Sequence, residues 1–126
     1  MNIRTFLPSG FPIIVCLCGS TDKHKTGDAF HEANLRETLA GNIVLTIGCD
    51  FKSDADLLLA GELTADDKRR LDDLHLYKID LASEVLFLNV GGYLGESSRR
   101  ELAYARAGGK RIRFLEPTEG LDYHEQ

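Results

Sequence analysis

Short apolar runs alternate with longer amphipathic stretches along this chain. Ile13–Cys18 (IIVCLC) is nearly continuous in apolar residues and rich in β-branching, the pattern of a strand buried on both faces; Gly19-Ser20 ends it. Residues 28–40 read as a helix, with Gly41 placed as its left-handed stop. Ile43–Ile47 (IVLTI) predicts a second buried strand, and the mixed stretch after it has room for a short helix near 54–60. Thr64-Ala-Asp-Asp67 has the form of a capping box opening a long helix. Along that helix Leu71, Leu74, Tyr77 and Leu81 recur at helical spacing, and Leu74 and Tyr77 are read as core. Glu84–Val90 (EVLFLNV) predicts a third buried strand, broken by Gly91-Gly92. A helix over 98–107 is ended by Gly108-Gly109, and Arg111–Leu115 is the fourth strand. Residues 1–12, with Pro8, Gly10 and Pro12, read as an irregular arm; the tail 116–126, acidic and without Lys or Arg, is expected at the surface or frayed.

Strands alternating with helices imply crossover connections and a parallel sheet covered on both faces. The expectation is one domain over 1–126, a small Rossmann-like or flavodoxin-like three-layer α/β fold. Ligands of such sheets sit beyond the carboxyl ends of the strands. Gly19-Ser20-Thr21, Gly48-Cys49-Asp50 and the segment from Asn89 to Ser98 all fall at that edge.

Composition narrows the function. The 126 residues are 43% apolar and 28% charged, ordinary values for one globular domain. Lys and Arg total 15 against 20 Asp and Glu, a net charge of −5 that argues against a nucleic-acid polymer as partner. A local pocket can still take a small phosphorylated ligand. No apolar run is long enough for a bilayer and no signal peptide is read, so no membrane partner and a cytoplasmic location are expected. Cys16 and Cys18 lie in one predicted strand and are assigned to its opposite faces, and a disulfide framework is not expected. Without a C-x-x-C pair, neither a metal nor any other cofactor is expected.

Cys18-Gly19-Ser20-Thr21 offers close backbone approach and hydroxyl donors to an anion, or simply a strand-ending turn. Gly19 to Thr26 nearly matches the phosphate loop G-x-x-x-x-G-K-[ST], but His24 replaces the second glycine, which sets a triphosphate site aside. Gly95, Ser97 and Ser98 precede or open a helix whose N-terminus suits an anion, with Arg99 and Arg100 adding charge. Glu101 has two open uses. Ser98-x-x-Glu101 matches a capping box, which the spacing favours; a carboxylate in a cleft also suits attack on a sugar carbon. Asn89 at a strand end either binds a ligand or closes a turn. His75, Lys78 and Asp80 share the long helix, where a solvated surface or a structural histidine is the plainer reading; His75 and Asp50 remain candidates for proton transfer.

Glu101-Leu-Ala-Tyr-Ala-Arg-Ala-Gly-Gly-Lys110 resembles the E-x-G-x-A-x-A-x-G-K stretch of the nucleoside 2-deoxyribosyltransferase superfamily, and Cys18-Gly19-Ser20 looks like the first-strand C-G-S of its 2′-deoxynucleoside 5′-monophosphate N-glycosidases. The resemblance spans about Ile13 to Leu115. It implies that Glu101 is the nucleophile at the anomeric carbon, and that Gly19, Ser20, Ser97 and Ser98 hold the 5′ end. Asn89 and Asp80 are implied sugar or base contacts; His75 falls where transferases carry a helix acid, with Asp80 nearby but off register, and both are taken as catalytic beside Glu101. It further implies a nucleoside or nucleotide substrate and a homodimer or larger assembly. Gly95 stands where transferases carry an aspartate, Ala103 where the motif has its glycine, and Cys16-Leu17 where a tyrosine is usual. The alternative is a non-catalytic nucleotide-binding module of the same fold.

Overall fold

The computed structural model describes residues 10–47 and 64–124. Their elements run β1 (Ile14–Cys18), α1 (Lys23–Thr26), α2 (Ala29–Leu39), β2 (Ile43–Leu45), α3 (Ala65–Leu81), β3 (Glu84–Phe87), a tight turn (Val90–Gly92), α4 (Glu96–Ala107) and β4 (Arg111–Phe114). The expectations for Gly48-Cys49-Asp50, for a helix near 54–60 and for most of the amino-terminal arm lie outside the described residues.

The strands form one all-parallel sheet in the order β2-β1-β3-β4. Alternation along each strand divides the core in two. Cys16 and Cys18 of β1 and Val85 and Phe87 of β3 face Ile79 of α3 and Leu102 and Ala105 of α4. Val15, Leu17, Leu86 and Leu88 face Ala29 and Ala33 of α2. Each large side chain so enclosed contributes about 1.5–3 kcal/mol. This is the three-layer α/β arrangement expected from the sequence.

Four details differ from the sequence reading. Cys16 and Cys18 share one face, because side chains in a strand repeat with a period of two. β2 is a short edge strand with Ile43 40% exposed, not a doubly buried one. Leu74, Tyr77 and Leu81 are exposed at 49%, 66% and 70%; the inward stripe of α3 is rotated to His75, Leu76 and Ile79. A histidine in the inner stripe hid the true face from a purely apolar count. The tail packs down rather than fraying: Tyr123 is buried, its hydroxyl donates to Gly92 O at 2.7 Å, and Asp122 pairs with Arg99 at 2.7 Å.

Thr64 does cap α3. Its hydroxyl accepts from Asp67 N–H and the Asp67 carboxylate accepts from Thr64 N–H, each at 3.1 Å. Gly91 and Gly92, at φ +63° and +82°, turn the chain sharply after β3, a backbone that residues with a Cβ rarely adopt. The chain leaves β1 for β2 on one side and later reaches β3 on the other. The crevice between the carboxyl ends of β1 and β3 is therefore the point where strand order reverses, the usual ligand position of such sheets.

On the α2 side, Glu37 is 5% exposed and accepts from Arg113 Nη2 at 2.5 Å and from Asn42 Nδ2 at 3.1 Å. Arg113 Nε also lies 3.3 Å from Glu84 Oε2, near enough for attraction although outside hydrogen-bonding geometry. The hydrogen bond from Arg113 holds the Glu37 carboxyl below its ordinary range, with burial opposing and Asn42 assisting. A depressed carboxyl stabilises the fold above its unfolded pKa, and that contribution is lost as pH falls through the folded value. Glu37→Gln should therefore lower stability at pH 7 by about 1–3 kcal/mol. The deficit should shrink below pH ~4, where the native carboxylate protonates as well. Denaturant unfolding of both proteins across pH 3–8 checks this, and a pH-independent difference would contradict it.

Candidate functional site

The carboxyl end of β1, the inner face of α3 and the second turn of α4 meet at one cluster. His75 projects from α3 onto the sheet and is 6% exposed. Its Nε2 lies 3.0 Å from Leu17 O, 3.3 Å from Cys18 Sγ, 3.7 Å from Cys16 Sγ and 3.8 Å from Glu101 Oε2. One ring nitrogen thus faces four electron-rich atoms. With a proton on Nε2, Leu17 O is its best-placed acceptor; with the proton on Nδ1, the Cys18 thiol can donate to Nε2 instead.

Glu101 reaches this cluster because it does not cap its helix. α4 begins at Glu96, with Gly95 as N-cap and the first intrahelical bond from Arg99 N–H to Gly95 O at 2.9 Å. The start lies three residues earlier than the Ser98-x-x-Glu101 pattern implies, so Ser98 is inside the first turn and buried, and Glu101 stands in the second turn. The capping-box reading of Glu101 is thereby corrected. Its side chain is 14% exposed and turned toward His75.

Burial pushes the Glu101 carboxyl up to about 7; the nearby His75 pulls the other way and Cys16 adds to the rise. The Cys18 thiol holds Cys16 down at about 6, against burial and with help from His75 and Lys78. Cys18 itself is pushed up, first by burial and then by Cys16 and Glu101. The two sulfurs lie within 4.8 Å of each other, and each also faces His75 Nε2. Burial lowers the affinity of His75 for a proton, but the Cys16 contact and the Glu101 charge outweigh it and leave the imidazole more basic than usual. The cluster can therefore store and pass a proton, and it contains a desolvated carboxyl group able to act as a nucleophile when ionised or as an acid when protonated.

The other sequence candidates are distributed around this centre. Gly19 follows β1 so closely packed that a Cβ there would sit 3.1 Å from Leu88 Cβ and 3.4 Å from Leu88 O. Ser20 Oγ accepts from Asp22 N–H at 3.1 Å, while its carbonyl accepts from the Thr26 hydroxyl at 2.9 Å, which folds the chain into α1. Gly95 is the N-cap of α4, and Ser97 Oγ accepts from Arg100 at 3.3 Å. Asn89 is fully buried and occupied within the fold: its amide donates to Glu116 O and Tyr123 Oη, and its carbonyl accepts from Glu116 N–H at 2.8 Å. It closes the turn after β3 and holds the tail. Asp80 is exposed, about 140° around α3 from His75, and accepts from the Tyr104 hydroxyl at 2.8 Å. The structure does not bring it to Glu101.

Two features of the site escaped the sequence reading. One is the pair of thiols, legible from a period-two count along β1. The other is Lys25, whose ammonium lies 5.0 Å above the Tyr93 ring and links the segment after β1 to the segment after β3 across the crevice. Among the described residues, Cys16, Cys18 and His75 are the set that brings three metal-capable side chains together.

No protein-family model matches the chain, and no curated protein matches it. Function rests on the geometry and on the motifs.

The close approach at Gly19 makes a direct prediction. Gly19→Ala forces β1 and the end of β3 apart against Leu88, which should cost about 1–3 kcal/mol. Thermal and denaturant unfolding measure it; an unchanged stability would show that the two segments separate freely.

Proposed function

We propose that the chain cleaves, or transfers across, the N-glycosidic bond of a nucleoside or nucleoside 5′-monophosphate, with Glu101 as nucleophile. One observation carries this reading. The glutamate that the motif singles out is free of the capping role, is partly buried, and sits beside a basic imidazole near the carboxyl end of β1.

In the first step a Glu101 carboxylate oxygen bonds to C1′ as the C1′–N bond breaks. The bond's electron pair leaves with the base, which takes up a proton; His75 is the group in the cluster placed to carry one. Water or a second base then attacks C1′ and releases Glu101. A 5′-phosphate is supported by the amino end of α4, which has no side-chain cap and so leaves N–H groups for an anion, and by Gly19 and Ser20 opposite. Lys25 adds a cation near the same crevice. The ligand is a small molecule, and the reading places the work in the cytoplasm. The exposed stripe of Leu74, Tyr77 and Leu81 supports the homo-oligomer that the resemblance implies.

No helix among the described residues is long and apolar enough to cross a membrane.

Chromatographic release of free base from ribo- and deoxyribonucleosides and their 5′-monophosphates, with and without an acceptor base, tests the reading. Release is expected for at least one class and should fall ~10³-fold or more in Glu101→Ala, the scale on which a lost nucleophile acts. Saturable nucleotide binding with no release from any substrate would contradict it and favour the non-catalytic binding module.

A further inference from the structure

We propose that Cys16, Cys18 and His75 form a binding site for a thiolate-preferring divalent cation, Zn²⁺ foremost, with Glu101 closing its coordination sphere. The inference is independent of the glycosidic reading, since it concerns what the cluster binds and not what it cleaves.

A tetrahedral Zn²⁺ with Zn–S near 2.3 Å and Zn–N near 2.0–2.1 Å sets its sulfur and nitrogen ligands about 3.5–3.6 Å apart. The two S···N separations here are 3.3 and 3.7 Å, on either side of that value. The corresponding N···O edge is about 3.4 Å. The observed Nε2···Oε2 separation is 3.8 Å, which a small rotation of the Glu101 side chain closes. All three potential ligand atoms of Cys16, Cys18 and His75 lie within 4.8 Å of one another. Three of the six edges of a coordination tetrahedron, those that meet at Nε2, are thus nearly in place before any cation arrives.

Chemistry and rigidity agree with the distances. Two sulfurs and an imidazole nitrogen are the ligand set that favours Zn²⁺ over Mg²⁺ or Ca²⁺, which prefer oxygen. The ligands come from a central strand and two packed helices, so the site is held by the core and not by a loop. Two thiolates and a carboxylate bring three negative charges against the cation's two. Lys78, one turn from His75 and close enough to act on both His75 and Cys16, offsets the remainder. Its ammonium is anchored on Thr46 O at 2.7 Å.

Occupancy has two costs. Both thiols give their protons to solvent, and His75 must carry its proton on Nδ1, so that Leu17 O gives up its 3.0 Å contact with Nε2. Four ligand bonds formed together offset them. The bound cation also withdraws Glu101 from any other reaction, so the metal-free protein is the form in which that carboxylate is available.

The test uses the full chain, reduced and metal-stripped, with no nucleoside present. Zn²⁺ is titrated against a chromophoric chelator, and Co²⁺ is added in a parallel sample to read thiolate-to-metal charge-transfer absorption. One equivalent of Zn²⁺ at sub-micromolar Kd and a charge-transfer band are expected. Cys18→Ser and His75→Gln should each weaken binding by ~100-fold or more, beyond the 10–100-fold typical of an outer partner, and Glu101→Gln by ~10-fold. Far-UV circular dichroism of the metal-free variants establishes that they are folded. The wild-type Co²⁺ spectrum needs no variant at all. Absence of the band, or Zn²⁺ uptake unchanged in folded Cys18→Ser, overturns the proposal and places any bound metal on other groups. Because no substrate enters, this result stands apart from the base-release experiment.

Discussion

A buried imidazole needs polar partners, and the way His75 finds them organises this molecule's candidate site. At 6% exposure it has little water to lean on. Its partners come from three directions: a backbone carbonyl and two thiols of β1, and a carboxylate of α4. The β1 groups and the carboxylate meet at it together because α3 and α4 pack beside each other on the same face of the sheet. The polar contacts of His75 thus lie on the same helix faces as the apolar contacts of Ile79, Leu102 and Ala105.

The parallel sheet supplies the rest of the geometry. With β1 and β3 adjacent and the chain diverging on either side of them, their carboxyl ends open into a crevice. Gly19 lets the backbone after β1 come close against Leu88, and the Cys18 carbonyl accepts from Leu88 N–H at 2.8 Å beyond the end of the β3 strand proper. On the far side, Asn89 and Tyr123 fasten the tail under the turn at Gly91 and Gly92. The opposite end of the sheet is held separately by Glu84 and Arg111, at 3.3 Å, and by the Glu37–Arg113 pair. Stability and chemistry are thus carried by different charged groups at different ends.

Much of the fold could be read from the chain. The runs IIVCLC and EVLFLNV announced buried strands, Thr64 and Asp67 announced a helix start, and Gly41 and Gly109, at φ +90° and +68°, marked helix ends. What could not be read was decided by tertiary contact. The inner face of α3 runs through a histidine, so apolar periodicity pointed to Leu74 and Tyr77, one step around the helix. The start of α4 moved to Glu96, which no local signal after Gly95 dictates, and that shift freed Glu101. Asn89 stayed open between ligand contact and turn closure because the Glu116 backbone groups that occupy it, one acceptor and one donor, come from a tail with no strand or helix pattern. The pairing of the thiols needed no tertiary information, only the period of a strand.

The central claim is that His75 and Glu101 act on each other across the α3–α4 contact. A double-mutant cycle measures that coupling most directly. Wild type, His75→Gln, Glu101→Gln and the double variant are unfolded in denaturant at pH 7 with reductant and a strong chelator, so that no metal bridges the pair. The account predicts that the two changes fail to add, with an interaction energy of about 0.5–3 kcal/mol. Additivity within ~0.3–0.5 kcal/mol would contradict it, and would leave Glu101 and His75 as neighbours without a shared role.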